Sequence, residues 1–401
     1  MISFSDFNSL FNSRVNRRIR RYRPSMDGIT VKDIVLLLLG GLVGAWAERL
    51  LGRPWDRHIG QRYRRWRAVR QSRRLERELG VSGEFLVVGG EHVYVHQFSV
   101  RGFDRTRLDT RMVSLPAVED CMATLPESLR PIPPEAVSER IERERNRIAE
   151  SPTAWNEEKL GVAAVHVRRD ARYDDPGLLI DFFRTDYATF SVVTNSWAKH
   201  VAGSDLAELL PAERLRHVLP GLSHSFGVNL TVVTADNQVI LTRRSPRISS
   251  ARSATHISAN EGMRADDLRA GRPDPFRTAW RGIDEELGVD VPEDRIVFHS
   301  LILDAERYQW ALLGHVDLSG TEWNSATVRA GRATGVAVDD WESDRLRMVP
   351  FTPDSVVREL ARTDGWIAHG WVNLLLSAIY AFPSRRGRLI EVAAQRRRAT
   401  R

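Results

Sequence analysis

A segment with the marks of a complete helix, residues 274–288, constrains the fold of this chain more than any other. It begins with Asp274, whose side chain suits a helix N-cap, and Pro275, whose fixed φ suits the first turn. It ends at Gly288, a residue that tolerates the left-handed conformation closing many helices. Apolar residues recur between these ends at the spacing of one helix face: Phe276, Ala279, Ile283 and Leu287. The pattern predicts an amphipathic helix over this segment.

Strand-like segments flank the helix on both sides. Residues 227–245 contain two apolar, β-rich runs joined by Ala-Asp-Asn, which is typical of a hairpin turn. The segments RIVFHSLIL and RYQWALLGHVDL follow the helix and have the same strand character. The order of two strands, loop, helix and two further strands predicts an α/β fold.

The end of the helix carries a specific spacing of charged residues. Residues 281–289 read Arg-Gly-Ile-Asp-Glu-Glu-Leu-Gly-Val. This resembles the signature of the Nudix family, in which Arg-Glu-aliphatic-x-Glu-Glu-x-Gly-aliphatic follows an earlier glycine and glutamate. Every specified position of this part matches except Gly282. The resemblance covers about residues 225–350 and adds a closing helix from about Pro353 to Phe382. It implies a Nudix-like α/β/α sandwich with a mixed sheet.

The chemistry behind such a signature follows from helix geometry. Glutamates at positions i, i+3 and i+4 share one helix face, where three carboxylates can converge on Mg²⁺. The cation would bridge a diphosphate and polarise phosphorus for attack by water. By resemblance, Glu285 and Glu286 are the expected metal ligands, and both are expected to be catalytic together with Arg281. Arg281 lies one turn before Glu285 and can hold its carboxylate in place.

The signature is incomplete in this chain, which weakens the predicted Mg²⁺ site. Gly282 replaces a third acid, and the earlier glutamate of the signature falls on Pro273. The earlier glycine falls on Asp267, unless an insertion lets Gly262 serve instead. Two carboxylates with water and substrate phosphate form a looser cage for the ion.

Other residues can be considered for the missing roles. Acids in loops or at strand ends could supply a base: Glu261, Asp304, Glu306 and Glu322. Glu261 is also a candidate ligand-binding residue. The aromatic residues Tyr308 and Trp310 could stack on a nucleobase, although core packing explains them as well.

The amino-terminal region has a different character. Residues 34–47 form an uncharged apolar run with arginine on both sides, and we predict a transmembrane helix at 31–51. An interior helix and a signal-peptide core are the alternatives. Residues 1–78 hold eighteen Arg and Lys against seven Asp and Glu. We predict a basic tail at 1–30 and a basic juxtamembrane helix at 52–80, for which anionic membrane lipid is the favoured partner. Nucleic acid and a solvated stalk are the competing interpretations.

The remaining segments give a provisional division of the chain. Residues 81–154 are predicted to hold a hairpin turning at Gly89-Gly90, a proline-rich linker and a charged helix. Residues 155–226 are predicted to form a small α/β segment beside a Nudix-like domain at 227–384, and residues 385–401 a basic tail. Cys121 is the single cysteine, which excludes internal disulfides and cysteine-built metal sites.

These features together predict a membrane-tethered Nudix-like protein that senses a nucleotide-derived small molecule with little or no turnover. The predicted location is a single-pass membrane protein with its carboxyl-terminal domain in the cytoplasm. Gly40 and Gly44 permit a homodimer. The first alternative is an active Mg²⁺-dependent pyrophosphohydrolase. The second is a nucleic-acid or lipid-binding protein acting through its arginine-rich ends.

Overall fold

A mixed sheet of nine strands forms the centre of the part of the chain that the computed structural model describes. That part comprises residues 85–151, 154–170, 175–245, 253–334, 337, 343–362, 365–389 and 391. Its strands are β1 (Leu86–Val88), β2 (Glu91–Phe103), β3 (Leu108–Met112), β4 (Glu158–Asp170), β5 (Asp175–Asp186), β6 (Phe226–Val233), β7 (Gln238–Arg244), β8 (Thr255–Ile257), β9 (Ala259–Gly262), β10 (Leu268–Arg269), β11 (Arg272–Pro273), β12 (Ile296–Asp304), β13 (Gln309–Asp317) and β14 (Ser343–Pro350).

The helices lie between and after these strands. They are α1 (Val118–Ala123), α2 (Pro134–Ala149), α3 (Tyr187–Val201), α4 (Leu206–Leu209), α5 (Ala212–Leu215), α6 (Pro275–Leu287), α7 (Ser325–Ala333), α8 (Pro353–Ala361) and α9 (Ala368–Ala381). Short 3₁₀ turns occur at Glu127–Leu129 and Glu293–Arg295.

The large sheet has the strand order β1-β2-β12-β13-β6-β7-β14, with β8 paired to β7 and β9 to β6. Strands β13 and β6 run parallel, with Leu312 opposite Val228, whereas the other pairs are antiparallel. The predicted α/β class with a mixed sheet is therefore confirmed.

The two faces of this sheet support separate hydrophobic cores. Successive side chains of a strand point to opposite faces, so Leu312 packs in the core beneath α6 while Leu313 packs beneath α9. Val232 and Val233 divide in the same way. Helices therefore cover both faces, and the strands read as continuous apolar runs because both faces are buried.

A second sheet of three strands lies against the α6 side, in the order β3-β5-β4. Its buried residues, including Phe182 and Trp197, belong to the same hydrophobic core as those beneath α6. The Trp197 indole Nε1 donates to the backbone carbonyl of Ala305 at 2.8 Å, beyond the end of β12. The segment predicted to abut the Nudix-like domain therefore shares its core.

The hairpin predicted at Gly89-Gly90 is present, and both glycines have positive φ, 60° and 91°. Its second strand, β2, pairs with β12, so the hairpin extends the large sheet. The predicted boundary at residue 227 therefore does not divide the sheet. Strand pairing joins segments far apart in the chain, and local composition does not predict which strands pair.

The proline-rich stretch predicted as a linker is packed. Leu129 and Ile132 are fully buried within it, and α2 begins at its end. Its apolar residues, spaced between prolines, anchor the stretch to the second sheet's core.

The predicted segments at 1–30, 31–51 and 52–80 consist of residues that the structure does not describe. Of the predicted basic tail at 385–401, it describes only residues 385–389 and 391. Among the described residues, no helix combines the length and the apolar character that crossing a bilayer requires. This finding contradicts the predicted single-pass membrane location.

Candidate functional site

Helix α6 forms where its sequence predicts it, between the two capping residues. The Asp274 side chain accepts a hydrogen bond from the Phe276 backbone N–H at 3.1 Å, and Pro275 occupies the first turn. Gly288 ends the helix with a left-handed φ of 66°, and its N–H bonds to the Asp284 carbonyl. The prediction of this helix and of both caps is confirmed.

One face of α6 is buried and the other carries charge. The apolar residues that predicted the helix, Phe276, Ala279, Ile283 and Leu287, lie in the core against the sheet. Arg281, Glu285 and Glu286 are only partly exposed, because β9 and the loop after it pass over this end of the helix. The polar face of α6, with Arg281, Glu285 and Glu286, is therefore a charged surface covered by β9 and the loop after it. We call this surface the Arg281 seam.

Arg281 lies at the centre of this seam and binds three carboxylates. Its Nη1 lies 3.1 Å from Glu285 and 3.0 Å from Glu261. Its Nη2 and Nε lie 2.8 and 3.1 Å from the two oxygens of Asp267, and Nη2 also donates to the Gly262 carbonyl. The predicted contact between Arg281 and Glu285 is confirmed, while Glu261 and Asp267 join it through the fold.

Gly282 allows Glu261 to approach the helix. A Cβ atom built on Gly282 would lie 2.6 Å from the Cβ and 3.2 Å from the Cγ of Glu261. Real Cβ atoms do not approach another atom to 2.6 Å, so position 282 has no room for a side chain while β9 stays where it is. A carboxylate from β9 has therefore come close to the position where the family signature has an acid.

Glu261 is held in a protected setting. Its side chain is 14% exposed. Burial raises the pKa of Glu261, while the guanidinium groups of Arg281 and Arg264 act in the opposite direction. A carboxylate in such a place depends on its cationic partners to remain charged.

Arg264 forms a second basic contact with the seam. Its Nη2 lies 3.2 Å from Glu285, and its Nε lies 2.7 Å from Glu157, the residue before β4. Glu157 also binds Lys159 at 3.0 Å. Glu286 instead accepts a hydrogen bond from the Asn260 backbone N–H at 2.7 Å, which ties α6 to β9.

This arrangement does not fit a divalent cation. Mg²⁺ requires oxygen ligands at about 2.1 Å around one point, whereas Glu285 and Glu261 are directed at guanidinium nitrogens. Within the described part of the chain, no group of three or more His, Cys, Asp or Glu residues is placed to hold a metal ion. The roles of Glu285 and Glu286 as metal ligands thus stay a prediction from the family resemblance.

Asp267 is a site residue that sequence reasoning missed. It falls where the signature has a glycine, yet it is buried and accepts hydrogen bonds from the Arg264 N–H and the Thr278 hydroxyl, both at 2.9 Å. It connects the loop after β9 to the middle of α6. The only sequence signal for it was a departure from the signature.

The other candidate acids lie elsewhere. Asp304 is buried against Arg307 at 2.8 Å and His369 at 3.5 Å. Glu306 binds His92 at 2.7 Å, and Glu322 is exposed in the loop before α7. These contacts place Asp304 and Glu306 with residues of β2 and α9, apart from the Arg281 seam.

Tyr308 and Trp310 are packing residues. Tyr308 is 2% exposed, receives a hydrogen bond from the Leu219 N–H and contacts the Trp197 ring edge-on. Trp310 is fully buried against His96. Neither leaves a ring face for a nucleobase, so the structure corrects their expected ligand-binding role.

Comparison with known proteins gives distant likenesses only. No protein-family model matches the chain, and no curated protein matches it. Among solved structures, the protein DR0079 from Deinococcus radiodurans is 14% identical, with a TM-score of 0.26 over 38% of this chain and 81% of that one. A MutT/nudix family protein from Enterococcus faecalis is 10% identical, with a TM-score of 0.23 over 40% and 55%. A MutT NUDIX hydrolase from Burkholderia pseudomallei is 14% identical, with a TM-score of 0.22 over 37% and 95%. Likenesses at this level say nothing about activity.

Proposed function

We propose that this chain is a Nudix-like protein that binds a nucleotide-derived small molecule and does not hydrolyse it. The observation that carries this proposal is the position of Arg281, which binds Glu261, Asp267 and Glu285 together. The helix retains Arg281, Glu285 and Glu286 of the signature but not the acid that Gly282 replaces, and the Arg281 guanidinium occupies the centre of the carboxylate group.

The charge arrangement supports the proposed absence of turnover. Hydrolysis of a diphosphate needs a cation bound to the negatively charged phosphoryl oxygens, and it needs an activated water molecule. In the seam the carboxylates are engaged by Arg281 and Arg264, and Gly282 supplies no further acid. The seam is therefore suited to holding β9 and α6 together, and its acids would repel a bare pyrophosphate.

The test combines a binding assay with an assay of turnover. The purified chain is screened by thermal shift against nucleoside mono-, di- and triphosphates, dinucleotides and nucleotide sugars, with and without Mg²⁺, and phosphate release is measured in parallel. A nucleotide at a hundred times its Kd should stabilise the protein by about 2.7 kcal/mol, whether or not Mg²⁺ is present. No release of phosphate or monophosphate should accompany binding.

Two results would overturn the proposal. The first is Mg²⁺-dependent product release that Glu286→Gln abolishes and Glu322→Gln, a change at an exposed loop residue, leaves intact. The second is the absence of any thermal shift across the panel. The Glu322→Gln variant shows whether an effect of Glu286→Gln comes from its place in the seam or from removing any one carboxylate.

A further inference from the structure

A small cavity beside β7, β8 and β14 is lined by three arginines. Its volume is about 270 Å³, just below the roughly 300–1,000 Å³ typical of small-molecule sites. Arg243 comes from β7, and Arg345 and Arg347 come from β14. No acidic side chain is among the described residues that line the cavity. A space of this size and charge suits a small anion.

Strand register places the three arginines on one face of the large sheet. Arg243 is directly opposite Arg345 on one side and Thr255 of β8 on the other, so these residues form one row across three strands. Residues opposite each other point to the same face. Leu241, two residues before Arg243, shares this face and packs in the core beneath α9. Arg347 is directly opposite Leu241, so the arginines lie at the edge of that core.

The pairing of Arg243 with Arg345 places two like charges side by side. Directly opposite residues have Cβ atoms about 4.5–5.5 Å apart, where like charges destabilise the pair of strands. Both side chains are exposed. Neither guanidinium has an ion-pair or hydrogen-bond partner among the residues that the structure describes. An anion between them would relieve the repulsion and gain charge-assisted hydrogen bonds.

Arg347 adds a third guanidinium, which already has a partner. Its Nη2 lies 2.6 Å from Glu359 of α8, a side chain only 9% exposed. Arg362 also approaches Glu359, at 3.5 Å. One carboxylate is thus shared by two arginines, and it leaves the charges of Arg243 and Arg345 uncompensated. Arg347 keeps further N–H donors, because a guanidinium has several and Glu359 accepts from one nitrogen.

A phosphate group matches this arrangement. Guanidinium groups recognise phosphate through paired N–H donors in one plane. The two uncompensated arginines match a phosphate monoester, which carries a charge of about −1.5 to −2 at neutral pH. Thr255 contributes a hydroxyl from the same row of residues. The volume favours a compact phosphate compound over a larger ligand.

We propose that Arg243, Arg345 and Arg347 bind the phosphate group of a small soluble molecule, such as inorganic phosphate, pyrophosphate or a phosphate monoester. The site lies on the α9 face of the large sheet, whereas the Arg281 seam lies on the α6 face. The inference goes beyond the proposed function, because it concerns a second place on the molecule and requires neither a base nor a sugar.

Calorimetric titration of the full chain with inorganic phosphate and with pyrophosphate tests the site. Sodium chloride at matched ionic strength is the control, since a general effect of salt on surface charge would appear with chloride as well. At least one of the two phosphate compounds should bind with saturation, and chloride should give no saturable signal.

Two variants assign the binding to the arginines. Arg243→Gln and Arg345→Gln should each weaken binding about tenfold or more, because each removes a charged hydrogen-bond donor. Neither change leaves a described acid without its partner, so both variants should fold. Without phosphate, each should melt at the parent's temperature or above it, since the repulsion between the two arginines is gone. An arginine with a merely structural role would instead lower the melting temperature when replaced.

The matched control is Arg168→Gln, which replaces an exposed arginine of β4. Arg168 pairs with Asp109 and does not line the cavity. This variant should bind phosphate and pyrophosphate as the parent does. Equal weakening in all three variants would show a general effect of net charge and overturn the site.

The remaining outcomes are also decisive. Absence of saturable binding with both phosphate compounds overturns the proposal, as does binding that Arg243→Gln and Arg345→Gln leave unchanged. A lipid headgroup offers the same phosphate chemistry, so the chain is also sedimented with phosphatidylcholine vesicles with and without phosphatidic acid. Sedimentation that requires phosphatidic acid and is lost in both variants, without binding of the soluble compounds, overturns the soluble ligand in favour of a membrane surface. Because the inorganic probes have no base or sugar, these results do not depend on whether the chain binds nucleotides.

Discussion

Glu261 and Gly282 are mutually dependent, since the glutamate lies in space that any side chain at position 282 would need. The 2.6 Å separation between the Glu261 Cβ and a Cβ built on Gly282 makes this relationship steric rather than electrostatic. It joins β9 to α6 at the turn of the helix where Arg281 gathers its carboxylates. The consequences are measurable in stability as well as in binding.

Gly282→Ala should destabilise the protein by about 1 kcal/mol. Replacing a glycine within a helix by alanine ordinarily gains up to about 1 kcal/mol, but overpacking against Glu261 costs about 1–3 kcal/mol. Urea unfolding at neutral pH measures the difference. The control is Gly331→Ala in α7, where the nearest atom to a new Cβ is 4.0 Å away, and it should be neutral or stabilising. Equal stabilisation of both variants would contradict the close approach.

Arg281→Gln should destabilise by about 3–5 kcal/mol, because removing the cation leaves buried carboxylates without a partner. Asp267 is 2% exposed and Glu261 14% exposed, so neither is well solvated. The loss should shrink as the pH falls, since protonated carboxylates no longer need the guanidinium. Chemical unfolding at several pH values measures this, with Arg168→Gln as the exposed comparison, expected within about 0.5 kcal/mol of the parent. A loss that does not change with pH would argue against charge as its cause.

Asp304→Asn should remove part of the acid sensitivity of the fold. Burial opposes ionisation of Asp304, but His369 and Arg307 outweigh it and lower the pKa of this carboxyl to about 2. A carboxyl with a depressed folded pKa contributes stability that is present above its unfolded value of about 3.9 and lost as the pH falls through 2. The contribution is about 2 kcal/mol. Unfolding free energies between pH 5 and pH 2 should fall less steeply in this variant, whereas Asp294→Asn, at an exposed residue, should follow the parent.

Trp197→Phe should cost about 2–4 kcal/mol. The change leaves the Ala305 carbonyl without its 2.8 Å hydrogen bond and opens a void where the indole was fully buried. Because Trp197 joins α3 to the end of β12, unfolding should remain a single transition that moves to lower temperature. Calorimetry distinguishes this from two separate transitions, which would show that the second sheet unfolds on its own. Trp155→Phe, at a side chain 65% exposed, is the matched control.

The elements that local interactions determine could be predicted from the sequence. The caps of α6 lie within a few residues of the groups they satisfy, so Asp274 and Gly288 could be identified from composition and spacing alone. The same holds for the hairpin at Gly89-Gly90, whose positive φ values glycine adopts easily. The helical period also placed Arg281 one turn before Glu285, and that contact is present.

Contacts between residues far apart in the chain could not be predicted from the sequence. Tyr308 and Trp310 are aromatic residues of the kind that stack on nucleobases. They are buried instead, because β13, which begins just after Tyr308, lies between β12 and β6. Asp267 gave no sequence signal beyond a departure from the signature, since Thr278 and Arg281 contact it only when the loop after β9 lies against α6.

The sequence by itself determined the elements: a capped amphipathic helix with Arg281, Glu285 and Glu286 on one face, and apolar strands around it. Only the tertiary structure decided what that face does. It brought Glu261 and Asp267 to Arg281 and filled the space beside Gly282 with the Glu261 side chain. The physical reason is that helix and turn propensities act over a few residues, whereas burial and ion pairing depend on distances in space that chain order does not specify.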